Sequence, residues 1–351
     1  MTYITKPKIH HPSLQRNDIG LTRRDYEGAV TTLCAGCGHD SITAAIVQAF
    51  WELSIHPYKV AKLSGIGCSS KTPAYFLREA HGFNSVHGRM PSLVTGANAA
   101  NGDIIYIGVS GDGDSLSIGL GQLCHAIRRN VNTLYVLENN GVYGLTKGQF
   151  SASADPGSLS KRGEANLMEA IDGCLLALTL GATFVARSFS GDKAQLVPLL
   201  KAGLTHKGFA FIDVISPCVT FNDHEGSTKS YAYTRENTVE VVQADFVLPA
   251  RAITTAYAAG EVHSVTMHDG STVRLRKVAE DYDPTDRDQA YSYIRSRQKG
   301  GEVVTGMLYL SPTSRDMHEQ SGTVSTPLTA LPYEQLCPGS AELETLQQKF
   351  R

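Results

Sequence analysis

A short apolar run, Ile104-Ile105-Tyr106-Ile107-Gly108-Val109, leads into Gly111-Asp112-Gly113-Asp114. A second run, Leu134-Tyr135-Val136-Leu137, leads into Glu138-Asn139-Asn140-Gly141-Val142-Tyr143-Gly144. Between them, residues 116–129 place Leu116, Leu120, Leu123 and Ile127 at helical spacing. A strand, a helix and a strand within about 30 residues imply two parallel strands joined by a right-handed crossover. Both polar clusters then leave the sheet side by side, at the carboxyl ends of neighbouring strands, where open α/β sheets bind ligands. Asp112, the Asn140 carboxamide and the backbone carbonyls freed by the Asn-Gly turn are hard oxygen donors. They suit magnesium, which takes its remaining ligands from phosphates and water. Glycines on both sides of Asp112 let a diphosphate approach the backbone N–H groups. The two clusters read as a magnesium diphosphate site.

Three more strands are expected: 59–63, which ends in Ser64-Gly65-Ile66-Gly67-Cys68, then 183–186, and 209–215, closed by Ser216-Pro217-Cys218. Helices are expected at about 42–54, capped by Asp40-Ser41, and at 91–100, 167–180 and 192–203. Residues 151–165, rich in Ser, Gly and Lys, read as a mobile polar loop. Five strands alternating with helices give an α/β fold, a doubly wound parallel sheet. Past about Phe221 the composition changes. A helix over 250–259 lies between Pro249 and Gly260, a hairpin over 262–278 turns at Asp269-Gly270, and a charged helix over 286–297 and a strand over 303–310 precede a polar tail. The expected organisation is an arm (1–24), an α/β domain (25–225) and an extension (226–351) serving as a subunit contact or lid.

The 351 residues carry a net charge of −2 with no basic block, which argues against a nucleic-acid partner. Residues 1–24 lack the apolar stretch of a signal peptide, and no run approaches the roughly 18 apolar residues of a membrane span. A soluble cytoplasmic protein, with no membrane partner, is expected.

Seven cysteines in such a chain point to metal or redox use rather than a disulfide framework. Cys34-Ala35-Gly36-Cys37-Gly38-His39 opens the first helix, and a lone C-x-x-C serves zinc, a redox dithiol or half of an iron–sulfur site. Cys68 and Cys218 follow the ends of two parallel strands, on the same edge as Asp112 and Asn140, so four thiolates can converge there. A structural zinc accounts for a staple. A four-iron cluster also accounts for its place beside a cofactor pocket, where it would accept electrons. Cys124 and Cys174 fall in apolar helical stretches and read as small buried hydrophobes; Cys337 has no assigned partner. Asp223-His224-Glu225 reads as a polar loop, because adjacent side chains point apart.

In combination, six motifs spread over about residues 30–225 resemble the thiamine-diphosphate (β) subunit of the 2-oxoacid:ferredoxin oxidoreductases. They are Cys34 to His39, Gly65-Ile66-Gly67-Cys68-Ser69-Ser70, His87-Gly88-Arg89, Gly111 to Asp114, Asn139 to Thr146, and Ser216-Pro217-Cys218. Gly-Asp-Gly-Asp and the 143–149 stretch are similar to the 2-oxoglutarate and broad 2-oxoacid branch. The resemblance implies a thiamine-diphosphate-binding fold and a [4Fe-4S] cluster on Cys34, Cys37, Cys68 and Cys218. It implies magnesium on Asp112, the Asn140 side chain and the Val142 carbonyl. It places Ile66, Gly67, Ser69, His87, Gly113 and Asp114 around the diphosphate, with Gly144 and Leu145 along the cofactor. Lys71 and Lys147 are candidate contacts for the substrate carboxylate. The implied activity is coenzyme A-dependent oxidative decarboxylation of a 2-oxoacid, with electrons passed to ferredoxin and an α subunit completing the site. The rivals are a cluster-free thiamine carboligase or decarboxylase with zinc on the cysteines, and a non-enzymatic iron–sulfur carrier. The resemblance says little after residue 225.

Overall fold

The computed structural model describes residues 11–160, 163–247, 262–266, 272–277, 282–337 and 339–351. Its strands are β1 (Val60–Ser64), β2 (His81–Asn84), β3 (Ile105–Gly111), β4 (Thr133–Asn139), the two-residue pair β5 (Val142–Tyr143) and β6 (Gln149–Phe150), β7 (Phe184–Phe189), β8 (Phe209–Ile215), β9 (Thr238–Val247), β10 (Val262–Thr266), β11 (Thr272–Lys277) and β12 (Val303–Leu310). The main helices are α1 (Gly38–Glu52), α2 (Met90–Ala100), α3 (Leu120–Arg128), α4 (Gly173–Thr179), α5 (Lys193–Thr205), α6 (Tyr231–Asn237) and α7 (Arg287–Lys299).

One sheet runs in the order β10-β11-β9-β12-β7-β8-β4-β3-β1-β2. From β7 to β2 every neighbouring pair is parallel. Strand β12 is antiparallel to β7, β9 is parallel to β12, and β11 and β10 follow antiparallel. Strands β4 and β8 are buried at every position, as central parallel strands covered on both faces must be. Their apolar side chains pack closely: Tyr135 stacks on Phe209 and Phe211 with ring centroids 5.7 and 6.0 Å apart. Helix α1 packs on α5, α2 on α3, and α4 on α7.

The parallel α/β sheet expected from the sequence is present, with several differences. Strand β2 adds an edge strand that the sequence pattern does not announce, because all four residues are exposed and none alternates. Helix α1 starts at Gly38, with Cys37 at its N-cap, rather than at Ile42. The 116–129 helix is preceded by a wider turn over Gly113–Ile118, in which the Gly119 N–H reaches back to the Asp114 carbonyl at 2.9 Å. Only Gly173–Thr179 of the expected 167–180 helix is helical. Asp172 caps it by accepting from the Leu175 N–H, and Leu167 and Met168 ahead of it are exposed, so no buried face drives a helix there. After residue 225, β9 and β12 lengthen the same sheet beyond β7. The 286–297 helix and the 303–310 strand are there as α7 and β12, and β10 pairs with β11 as a hairpin should. The 250–259 helix and the Asp269-Gly270 turn fall outside the described residues. Among the described residues, no helix is long and apolar enough to cross a membrane.

Candidate active site

The sheet order makes β8, β4, β3 and β1 consecutive neighbours. The segments leaving their carboxyl ends carry Cys218, Asn140, Asp112 and Cys68 in that order. Helix α1 starts against the end of β8: the Gly38 N–H donates to the Pro217 carbonyl at 3.4 Å, and a Cβ on Gly38 would lie 2.5 Å from Ser216 Oγ. The C-x-x-C turn is thereby brought to the same rim.

Asp112 is 1% exposed. Its Oδ2 accepts three hydrogen bonds, from the Gly141 N–H at 2.8 Å, Ser151 Oγ at 2.5 Å and Ser153 Oγ at 2.6 Å. Burial pushes its carboxyl pKa up, and the two serines work against that rise. Asn140 is also buried, and its Oδ1 accepts from the Val142 N–H at 3.0 Å. Gly141, at φ +76°, makes the turn between them, and the Asn222 side chain donates to the Asn140 carbonyl at 2.8 Å.

Asp114 ties the loops together. Its Oδ1 accepts from the Ile66 and Gly88 N–H groups at 3.1 and 2.7 Å, and its Oδ2 accepts from Ser110 Oγ at 2.7 Å. His87 Nδ1 lies 2.5 Å from Oδ1, without hydrogen-bonding geometry. The Asp114 carboxylate therefore ties together the loops that carry Ile66 and Gly88. Gly65 has to be glycine, because a Cβ there would fall 1.8 Å from Asp114 Oδ2. Gly113 carries the Tyr143 ring on its Cα, and the Tyr143 hydroxyl donates to the Gly113 carbonyl at 2.8 Å.

One pocket is lined by Ile66, Gly67, Cys68, Ser69, His87, Asp112, Gly113, Asp114, Asn140, Val142, Gly144 and Leu145, together with His39, Gly111, Tyr143 and Thr146. None of these is Lys or Arg, and two are aspartates. His39 and His87 are the basic side chains of this lining. Its oxygen donors suit a divalent metal, and the backbone N–H groups at the start of the 113–118 turn suit an anion. Lys71 and Lys147 stand outside this lining. Lys71 is close enough to Cys68 to favour its thiolate, and Lys147 is exposed, at φ +80°.

The four cysteines of the rim lie near enough to influence one another: Cys218 and Cys68 act on Cys37, and Cys34 acts on Cys68 and Cys218. A Cβ on Gly144 would sit 3.4 Å from Cys68 Sγ and 3.6 Å from Cys218 Sγ. Thr220 Oγ1 donates to Cys34 Sγ at 3.6 Å, and the Cys37 N–H closes a turn onto the Cys34 carbonyl at 3.0 Å. Burial pushes the Cys37 thiol up to about 12, and the nearby Glu138, Cys218 and Cys68 push the same way. Burial likewise raises Cys68 and Cys218. Of the other cysteines, Cys174 is buried, Cys124 only half-buried and Cys337 exposed. Asp223, His224 and Glu225 are exposed, and Asp223 caps the Tyr231 N–H.

Sequence reasoning missed several residues here. The 151–165 segment is no mobile loop at its start: Ser151 and Ser153 are buried under Asp112. Their short, polar, turn-like composition gave no sign of it. Beneath the pocket, His39 Nδ1 lies 2.6 Å from Ser216 Oγ and 3.5 Å from Glu138 Oε2, while Thr72 Oγ1 donates to both Glu138 oxygens. Burial lowers His39 to about 4 and raises Glu138 well above its usual range, so burial disfavours charge on both partners of this contact. Both stand inside recognisable motifs, and only their complete burial distinguishes them.

Residues 65–214 match the family described as thiamine pyrophosphate enzyme, C-terminal TPP binding domain. A 2-oxoglutarate synthase subunit KorB of Methanocaldococcus jannaschii is 34% identical over 216 residues, covering 60% of this chain and 79% of that protein. The chain belongs to the β-subunit family of the 2-oxoacid:ferredoxin oxidoreductases. A Sulfolobus β subunit of that family is 43% identical over 191 residues, covering 54% of this chain and 63% of the relative. The chain thus spans less than two thirds of that relative's length. A solved 2-oxoglutarate:ferredoxin oxidoreductase from Magnetococcus marinus, with 2-oxoglutarate, coenzyme A and succinyl-CoA bound, superposes with a TM-score of 0.71 at 29% identity, covering 88% of this chain and 92% of that one.

Proposed function

We propose that this chain is the thiamine-diphosphate-binding β subunit of an enzyme that converts 2-oxoglutarate and coenzyme A to succinyl-CoA and CO2, passing two electrons to ferredoxin. The carrying observation is the rim on which four adjacent strands set hard oxygen donors between two cysteines. Asp112, the Asn140 side chain and the Val142 carbonyl would hold magnesium. Ile66, Gly67, Ser69, His87 and Gly113 would border the diphosphate, with Asp114 fixing the loops, and Gly144 and Leu145 would lie along the cofactor. Cys34, Cys37, Cys68 and Cys218 would hold a [4Fe-4S] cluster. Bound thiamine diphosphate supplies a carbon nucleophile and an electron sink, and the cluster a one-electron acceptor.

The chain's own residues then have three tasks. The oxygen donors would fix the cofactor's charged end in a pocket whose lining has neither Lys nor Arg. The thiols would place the electron acceptor against the same pocket wall, since Cys68 lines the pocket and both Cys68 and Cys218 lie beside Gly144, which also lines it. Lys71 and Lys147 are proposed to meet the carboxylate of the 2-oxoacid. An α subunit is proposed to complete the site, supplying the carboxylate that activates the cofactor and the coenzyme A site.

A structural zinc on the cysteines is the other reading. Iron and zinc analysis of the anaerobically purified protein, together with its visible absorption, separates the two, because only the iron–sulfur cluster absorbs in the visible. The deciding assay is reduction of a low-potential dye by the co-expressed, anaerobically purified complex, dependent on both 2-oxoacid and coenzyme A. Faster reduction with 2-oxoglutarate than with pyruvate supports the proposal. No reduction with either, in a complex containing iron and thiamine diphosphate, overturns it.

A further inference from the structure

Asp112 is locked far more tightly than a metal ligand requires. Three donors fall on Oδ2, and the backbone N–H groups of Asp112 and Asn140 also act on the carboxylate. The two serines cannot swing away. The Ser151 N–H donates to the Gly141 carbonyl at 3.3 Å and the Ala152 N–H to Ser117 Oγ at 3.0 Å, so the segment is pinned to the turns following both β4 and β3. Ser153 Oγ also lies 2.8 Å from Asn139 Oδ1, and the Asn139 amide nitrogen donates to Asp213 Oδ1 at 3.1 Å. Asp213 is in turn held by Arg187 Nε at 3.0 Å. The Gly141, Ser151 and Ser153 donors, held in place by these backbone contacts, fix the plane of the Asp112 carboxylate.

We propose that Ser151 and Ser153 are positioning residues that restrict Asp112 to single-oxygen coordination through Oδ1, and so set the site's preference for magnesium over larger cations. The proposal rests on the reading of Asp112 as a metal ligand. An oxygen that already accepts three hydrogen bonds has no lone pair to share with a metal. Magnesium demands near-octahedral geometry at about 2.0–2.1 Å, whereas calcium accepts bidentate carboxylates and six to eight ligands at roughly 2.3–2.6 Å. A carboxylate held to one oxygen therefore favours the smaller ion. Without the serines it can rotate and offer both oxygens.

The test is calorimetric titration of the full chain with Mg2+ and with Ca2+, each in the presence of thiamine diphosphate. The variants are Ser151→Ala, Ser153→Ala, the double variant, Ser153→Thr and Asp112→Ala, with an unfolding midpoint measured for each. The double variant is expected to lower the Mg2+/Ca2+ affinity ratio roughly tenfold, the scale of a lost charge-assisted hydrogen bond. Each single variant should show part of that drop, and Ser153→Thr, which keeps the hydroxyl, should retain the wild-type ratio. A folded double variant with the wild-type ratio overturns the proposal. If the double variant does not fold, a folded Ser153→Ala with the wild-type ratio overturns it just as well. Wild-type Mg2+ affinity in Asp112→Ala would instead overturn the underlying metal reading.

Discussion

The Tyr231 hydroxyl donates a 3.0 Å hydrogen bond to the Gly36 carbonyl, so a helix 195 residues further along the chain holds the turn between Cys34 and Cys37. The ring is seated edge-on against Phe189, with centroids 5.7 Å apart, and it takes the Arg235 guanidinium on its face at 5.4 Å. Tyr231→Phe should keep the ring packing and lose the hydroxyl's bond to the turn, worth about 1 kcal/mol net. Visible absorption followed in air should show the iron–sulfur chromophore of the variant bleaching roughly fivefold faster, the factor that this energy corresponds to. An unchanged bleaching rate would mean that the turn is held by other contacts.

Cys218→Ser should lose or badly damage the cluster, because a hard hydroxyl replaces a thiolate poorly as a ligand to iron. Cys174→Ser should retain it, since Cys174 is buried between α4 and the sheet, with its Sγ 3.6 Å from the Ala186 carbonyl. Electron paramagnetic resonance of the dithionite-reduced proteins reads both. A reduced-cluster signal unchanged in Cys218→Ser removes that residue from the ligand set.

Lys62 gives a pH dependence. Its Nζ donates to the Phe76 and Leu77 carbonyls at 2.6 and 2.9 Å, and burial lowers its pKa from 10.5 to about 8. Between those values the unfolded chain holds a proton that the folded chain has released, so folding stability rises with pH. Above about 9 the buried thiol of Cys37, raised from 9.0, acts with the opposite sign, because there the folded state keeps the extra proton. The cluster-free chain should therefore gain stability from pH 7.5 to 9. Urea midpoints across that range should rise in the wild type and stay flat in Lys62→Met. A parallel rise in the variant would show that another group is responsible.

Purified alone and reconstituted with iron, sulfide, magnesium and thiamine diphosphate, the chain should bind its cofactors and fail to oxidise 2-oxoacids. The described residues form one large sheet and a two-residue hairpin, with no second α/β unit to supply a carboxylate against the cofactor's ring. Turnover matching that of the co-expressed complex would end the two-subunit reading.

The sequence is legible where one local pattern decides the outcome. The runs 104–109 and 134–137 became β3 and β4 because fully buried parallel strands need continuous apolar runs. It is less legible where burial comes from a distant neighbour. Ser151 and Ser153 look like loop residues until Asp112 gives their hydroxyls an acceptor. The exposed strand β2 had no pattern to offer, and 167–172 failed as helix because Leu167 and Met168 have nothing to bury against and Asp172 serves as the cap of α4. Helix α1 begins earlier than Asp40-Ser41 suggested, because its first turn docks on Ser216-Pro217.

The direction in which the sheet grows has a consequence for how such a protein can be altered. Strands β12 and β9 are laid on beyond β7, so β7 stands between them and the first strand of the rim, β8. Inserting one residue into any of the four rim segments shifts a donor by about 3.3 Å, the rise of an extended residue, which is enough to break coordination. Strand β9 is not free to change, because it follows directly on α6, whose Tyr231 holds the Cys34–Cys37 turn. Strands β11 and β10 lie beyond β9, furthest in the sheet from the rim, and are thus the part to which an engineer could attach a new module with least disturbance of those donors.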